Sequence, residues 1–311
     1  MEREIVKKDY SLILDSEIND FISKIRRFSS RQDYYDIVQI RKAYAKTCAA
    51  FAEKRPKDIE CKNSTIKSQQ KLIPIRSYTK NSKSTHQILY IHGGGFVMGD
   101  LDSHDGICAD ICNLTGMKVT AVNYQLAPEH RYPASLEDVK EVYLSLEKTY
   151  PTIVVGDSAG ATLSAILANQ LKDSDRPFKS QILIYPYLGG DMAQKSYVEH
   201  ASAPGLTTKD MKFFIECWMT KKQQNRILPL RQINFNGLPP TIVFAASEDP
   251  LYSDGFEYCE KLRQSGVKTL HFKGKGLIHG FLRARNNSAK AKKIFLNIIK
   301  ACNAISIDEW P

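Results

Sequence analysis

The segment Gly156-Asp157-Ser158-Ala159-Gly160 has the clearest capacity for chemistry in this chain. It follows the apolar run Ile153-Val154-Val155 and opens a helical run that continues Ala161-Thr162-Leu163. Strand, tight turn and helix in that order form the setting of a nucleophile elbow, where glycines at 156 and 160 remove side chains that would collide at a strained turn. Ser158 is expected to project from the top of a sheet, close to a helix N-terminus whose positive potential favours negative charge developing beside it. Alone, the pattern is equally compatible with a plain Gly-Ser turn. A second segment, His92-Gly93-Gly94-Gly95-Phe96, ends the run Ile88-Leu89-Tyr90-Ile91. Consecutive glycines let backbone amides approach a substrate oxygen, so Gly93 and Gly94, with the amide of Ala159, are the expected oxyanion donors. Neither a GK[ST] nor a GxGxxG accompanies them, which argues against a phosphate cradle or a dinucleotide site. His92 reads as a structural hydrogen-bonding residue of that turn.

A serine hydroxyl needs a base, and the base needs a group that orients it. His279, in Leu277-Ile278-His279-Gly280-Phe281, follows the last predicted strand, and Asp249, in Ser247-Glu248-Asp249-Pro250-Leu251, follows the strand before it. Both are expected on the same sheet edge as Ser158. The chain order Ser158, Asp249, His279 is that of an α/β-hydrolase, with His279 taking the serine proton and Asp249 holding the imidazole tautomer. His130 is the main rival base.

The elements that would position these residues alternate. Strands are predicted near Leu72 to Tyr78, Gln87 to His92, Lys118 to Asn123, Thr152 to Val155, Gln181 to Tyr185, Thr241 to Ala245 and Val267 to Phe272. Helices fall near His104 to Thr115, Ala134 to Lys148, Ala159 to Lys172, Ser253 to Ser265 and Ser288 to Asn303. Such alternation implies an α/β fold with a mostly parallel central sheet flanked by helices. Ahead of it, residues 11 to 55 carry helical spacing for two helices, and Lys57 to Gln70 reads as polar and turn-rich. Residues 189 to 230 interrupt the alternation with a helical run, Thr208 to Thr220, and read as an insertion over the site. The expected division is 1 to 65, N-terminal helices contributing to a cap, and 66 to 311, the catalytic domain carrying that insertion.

With these residues in order, the chain resembles the hormone-sensitive-lipase-like family of α/β-hydrolases, the bacterial class IV esterases, and within it the acetyl-esterase branch. The matching motifs are His92 to Phe96, Asn123-Tyr124-Gln125-Leu126-Ala127-Pro128-Glu129-His130, Gly156 to Gly160, Asp249-Pro250-Leu251 and His279-Gly280-Phe281. Gly99 to Asp105 and Gly205 to Asp210 also look like that branch, and the likeness covers roughly residues 70 to 310. It implies hydrolysis of small acyl esters, acetyl to about butyryl, through an acyl-enzyme, with no metal or organic cofactor. An amidase or arylformamidase, or a ligand-binding protein on the same fold, stays open as an alternative. The chain departs from the pattern at Asn123 and Gln125, which together replace an acid and a base, at Ala161, where many members have glycine, and at Glu248, a usually aromatic position. A carboxylate at 248 is a rival to Asp249 and a neighbour able to perturb His279, and Asp249 is kept as the orienter. Glu129 is supporting structure in the family.

Composition narrows the rest. The 311 residues are 42% hydrophobic and 25% charged, ordinary globular usage that excludes disordered, collagen-like and coiled-coil classes. The net charge of +10 comes from lysines spread along the chain with no nucleic-acid-binding signature, so it reads as solvated surface. Seven scattered cysteines without a CxxC argue against a disulfide framework or a structural zinc. With no signal peptide legible in Met1 to Tyr10 and no apolar run long enough to span a bilayer, a cytoplasmic monomer or homodimer that binds neither nucleic acid nor membrane is expected.

Overall fold

A computed structural model describes residues 8–28, 36–68, 71–81 and 84–311; the Met1–Lys7 stretch read above for a leader lies outside the described residues. Three N-terminal helices, α1 (Tyr10–Ile13), α2 (Ser16–Arg26) and α3 (Ile37–Ala50), precede β1 (Glu60–Lys67), β2 (Leu72–Thr79) and β3 (Gln87–Ile91). Then α4 (Asp105–Thr115), β4 (Lys118–Val122), α5 (Ala134–Ser145), β5 (Thr152–Asp157), α6 (Ala159–Leu171) and β6 (Ser180–Ile184) alternate. The insertion supplies α7 (Lys195–Glu199), α8 (Thr208–Trp218) and α9 (Lys221–Ile227). It is followed by β7 (Thr241–Glu248), α10 (Tyr252–Gln264), β8 (Thr269–Ile278) and α11 (Ala289–Ser306).

The eight strands form one sheet in the order β1-β2-β4-β3-β5-β6-β7-β8. From β4 through β8 every pairing is parallel, and β1 and β2 are joined antiparallel at one edge. The central strands β3, β5 and β6 are buried along their whole length, which is why each carries an unbroken apolar run, Ile88-Leu89-Tyr90-Ile91, Ile153-Val154-Val155 and Ile182-Leu183-Ile184, rather than an alternating one. Core side chains divide into two clusters, one on each face of the sheet.

Two expectations need correction. The polar stretch Lys57 to Gln70 holds β1, which pairs residue by residue from Glu60↔Thr79 to Lys67↔Leu72. An edge strand exposed on most of its residues has no hydrophobic pattern to betray it, and charged edges also block pairing with other chains. The sheet therefore begins before residue 66, and the boundary placed at 65 cuts through β1. The last strand, expected to end near Phe272, continues to Ile278. Lys273-Gly274-Lys275-Gly276 looks like a loop but alternates exposed lysine with buried glycine, the two-residue period of a strand. A Cβ on Gly274 would stand 2.9 Å from the Leu277 side chain.

Candidate active site

Ser158 sits between β5 and α6 with φ 52° and ψ −120°, a conformation uncommon for a residue with a side chain. The turn is held because the Ser158 N–H donates to Ile184 O at 2.9 Å. Packing accounts for both flanking glycines: a Cβ at Gly160 would lie 2.0 Å from Ile91 O, and one at Gly156 would lie 2.6 Å from the Gly160 backbone. The sequence of α6 is small and apolar because the helix crosses the sheet closely and is buried along most of its length.

His279 directly follows β8, and Asp249 directly follows β7. Parallel neighbours end on the same side, so the two residues meet above the sheet edge. His279 Nδ1 lies 2.7 Å from Asp249 Oδ2, and its Nε2 lies 2.9 Å from Ser158 Oγ. Asp249 is fully buried and its second oxygen accepts from Leu251 N–H at 2.9 Å. The imidazole packs at 4.6 Å against the Tyr185 ring. Chemically this is a hydroxyl in contact with a base whose far nitrogen is held by a buried carboxylate, an arrangement suited to deprotonating the hydroxyl at the moment it attacks.

The glycine turn differs from expectation in one respect. Gly93 N–H donates to Asp157 Oδ1 at 3.0 Å, so this amide is committed to the protein and is withdrawn as an oxyanion donor. Among the described residues the amides of Gly94, Gly95 and Ala159 meet no acceptor. Gly94, Gly95 and Phe96 have φ of 130°, 59° and 66°, and this succession of positive values turns the chain sharply over the site. His92 is structural as expected: Nδ1 is 2.8 Å from Gly93 O and the ring stacks 4.2 Å from Tyr124. Burial, with His104 nearby, pushes its pKa down to about 4, so the ring stays neutral.

Sequence reasoning passed over Asp157. Its buried carboxylate accepts from Tyr90 Oη at 2.8 Å, from Gly93 N–H, and from Tyr185 Oη at 3.3 Å, with His104 Nε2 at 3.3 Å. Burial alone would raise its pKa, but the charge and hydrogen bond of His104, the Tyr90 hydroxyl and the Arg283 charge hold the carboxyl well below the usual range. Burial pushes the Tyr90 and Tyr185 hydroxyls far up, which keeps them as donors. The aspartate inside the elbow motif was the one available sequence signal.

The remaining candidates lie elsewhere. His130 bonds Gln125 Nε2 at 3.0 Å and takes no part in the Ser158 cluster. Glu248 turns away from Asp249: Ser247 Oγ donates to it at 2.9 Å, and His200, which also meets Tyr10, stands 3.7 Å away. The carboxylate therefore serves the docking of α1 and does not compete with Asp249. Where the family pattern has an acid and a base, Gln125 instead meets Lys71 Nζ at 2.9 Å and donates its N–H to Asp138, which also pairs with Lys71.

Residues of the insertion reach the glycine turn and His279. A Cβ on Gly95 would lie 2.7 Å from the Phe214 ring of α8, and Phe96 stacks 3.7 Å from Trp218 at the end of the same helix. On the other flank, a Cβ on Gly205 would lie 2.7 Å from His279 O. Residues 88–283, more than half of the chain, match the model of the alpha/beta hydrolase fold family. The chain belongs to that family. Its resemblance to the hormone-sensitive-lipase-like members holds across the comparisons. The chain is 36% identical to esterase LipI of Mycobacterium tuberculosis over 63% of its length, and the match spans 65% of that protein's length, just under two thirds. It is 30% identical to ethyl acetate hydrolase of Pseudomonas putida, covering 69% of this chain and 71% of that one. The hyperthermophilic esterase of the archaeon Pyrobaculum calidifontis superposes with a TM-score of 0.84 at 26% identity, over 95% of this α/β hydrolase and 99% of the other. All seven cysteines are free, and no described helix is long and apolar enough to cross a membrane.

Proposed function

We propose that this α/β hydrolase is a serine carboxylesterase acting on short-acyl esters, acetyl to about butyryl. The observation that carries the reading is the continuous contact Ser158 Oγ, His279 Nε2, His279 Nδ1, Asp249 Oδ2 at 2.9 and 2.7 Å. Ser158 Oγ attacks the ester carbonyl while His279 Nε2 takes the hydroxyl proton. The carbonyl oxygen, now an anion, is held by the amides of Gly94, Gly95 and Ala159. His279 returns the proton to the departing alcohol, leaving Ser158 acylated; it then deprotonates water, which releases the acid. Asp249 stabilises the imidazolium in both halves. These steps need only proton transfer and charge stabilisation, and none runs through a cofactor. The acyl-size preference is supported by the Phe214 ring, which stands against Gly95 on the turn that supplies the oxyanion amides, and by the likeness to an ethyl acetate hydrolase.

The test is hydrolysis of p-nitrophenyl esters from two to twelve acyl carbons, with Ser158→Ala as control. Removing the nucleophile is expected to lower turnover about 10⁶-fold. Equal rates in the two proteins would remove the catalytic reading, best activity on long chains would remove the narrow pocket, and faster cleavage of matched amides would favour an amidase.

A further inference from the structure

One side chain of α3 reaches the turn that carries Gly94 and Gly95. Arg41 donates from Nε to Val97 O at 2.7 Å and from Nη2 to Ala127 O at 3.0 Å. The same guanidinium pairs with Glu129, Nη1 to Oε1 at 2.8 Å and Nη2 to Oε2 at 2.7 Å. Val97 closes the turn, since its N–H and that of Met98 donate to Gly94 O at 3.1 and 3.0 Å. Ala127 N–H donates to Phe96 O at 2.9 Å. The two carbonyls that Arg41 holds therefore belong to the exit of the turn and to the segment clamping that exit.

The turn needs such a clamp. Phe96 adopts φ 66° without glycine's freedom, and a conformation of this kind persists only where its surroundings over-determine it. On the entry side Asp157 fixes the Gly93 amide. Among the described residues no side chain other than Arg41 hydrogen-bonds the backbone of residues 94–98. The Glu129 pair is half-exposed, and such pairs contribute little by themselves.

We propose that Arg41 is a positioning residue that sets the direction of the Gly94 and Gly95 amides by tying Val97 O to Ala127 O. The proposal rests on the serine-esterase reading. It assigns to α3 a part in stabilising the transition state.

The experiment compares wild type, Arg41→Met, Arg41→Lys and Glu129→Gln in kcat and KM for p-nitrophenyl butyrate, in affinity for a trifluoromethyl ketone that forms a serine-bound oxyanion, and in thermal midpoint. Arg41→Met is expected to lower kcat roughly ten- to a hundredfold with KM within about threefold, because small displacements of donors cost that much. Ketone affinity should fall by a matching factor. Arg41→Lys, whose single ammonium cannot hold both carbonyls and the carboxylate, should fall at least about threefold in kcat and ketone affinity. Glu129→Gln should stay within about threefold of wild type. Should Arg41→Met not fold, the lysine variant decides. Unchanged kcat and ketone affinity in the folded Arg41 variants, or a loss confined to KM, overturns the proposal while leaving the esterase reading standing. A wild type that neither hydrolyses the ester nor binds the ketone ends the esterase reading instead.

Discussion

Two buried aspartates flank Ser158, and they do opposite work. Asp249 spends one oxygen on Leu251 N–H and the other on His279, whose far nitrogen faces the serine hydroxyl. Asp157 is saturated by Tyr90, Gly93, Tyr185 and His104, and none of these partners contacts Ser158 Oγ. The carboxylates are chemically alike; their partners decide the role. A carboxylate whose imidazole partner reaches Ser158 Oγ can stabilise a proton in transit there, whereas one encircled by two hydroxyls, an amide and an imidazole that does not reach Ser158 fixes geometry. Under the proposed esterase mechanism Asp249 belongs to the reaction, and Asp157 belongs to the scaffold that presents the glycine turn.

The sharpest way to break this contrast is to neutralise each in turn. Asp249→Asn should lower kcat by about 10⁴, as expected when the imidazole is held in the wrong tautomer, with the thermal midpoint little changed. Asp157→Asn should do the converse. It keeps an oxygen for Gly93 but removes a buried charge from beside His104, so its main effect should be a lowered thermal midpoint, accompanied by a loss in kcat of roughly tenfold from the displaced turn. If Asp157→Asn lost activity as deeply as Asp249→Asn while keeping its thermal midpoint, the division of labour would be wrong. The smallest effect is expected at Glu248, whose partners are Ser247 and His200. Glu248→Gln should leave kcat and its pH profile within about twofold, since no triad atom meets that side chain. A shifted pH profile would return Glu248 to the neighbourhood of the imidazole.

How far the site was legible in the sequence depended on the range of each signal. The elbow around Ser158 is local: an apolar strand, two glycines placed where a Cβ would strike Ile91 O and the Gly160 backbone, and a helix that starts at once. Asp249 and His279 were legible because parallel strands deliver their ends to one edge, so position after a strand is enough. The edge strand β1 was not legible, because an exposed strand carries no apolar alternation. The end of β8 was not legible either, because glycine is a loop residue in a local reading and a packing residue only once Leu277 lies across it.

The glycine turn shows the limit most clearly. Three adjacent glycines announce that backbone amides face something, but they do not say which ones. That choice fell to Asp157, which captures the first amide, and to the positive φ values of the next residues. Arg41 gave no signal at all, since an arginine on a half-exposed helix is ordinary surface until its distant acceptors are known.

The sequence by itself determined the strand and helix alternation, the turn at Ser158 and the chain order of Ser158, Asp249 and His279, because each is written in short-range pattern and spacing. The tertiary structure alone decided which amides remain free and what clamps the turn. Those depend on hydrogen bonds between residues far apart in the chain, and a donor's partner is fixed only when the whole fold brings one acceptor within reach and directs the others elsewhere.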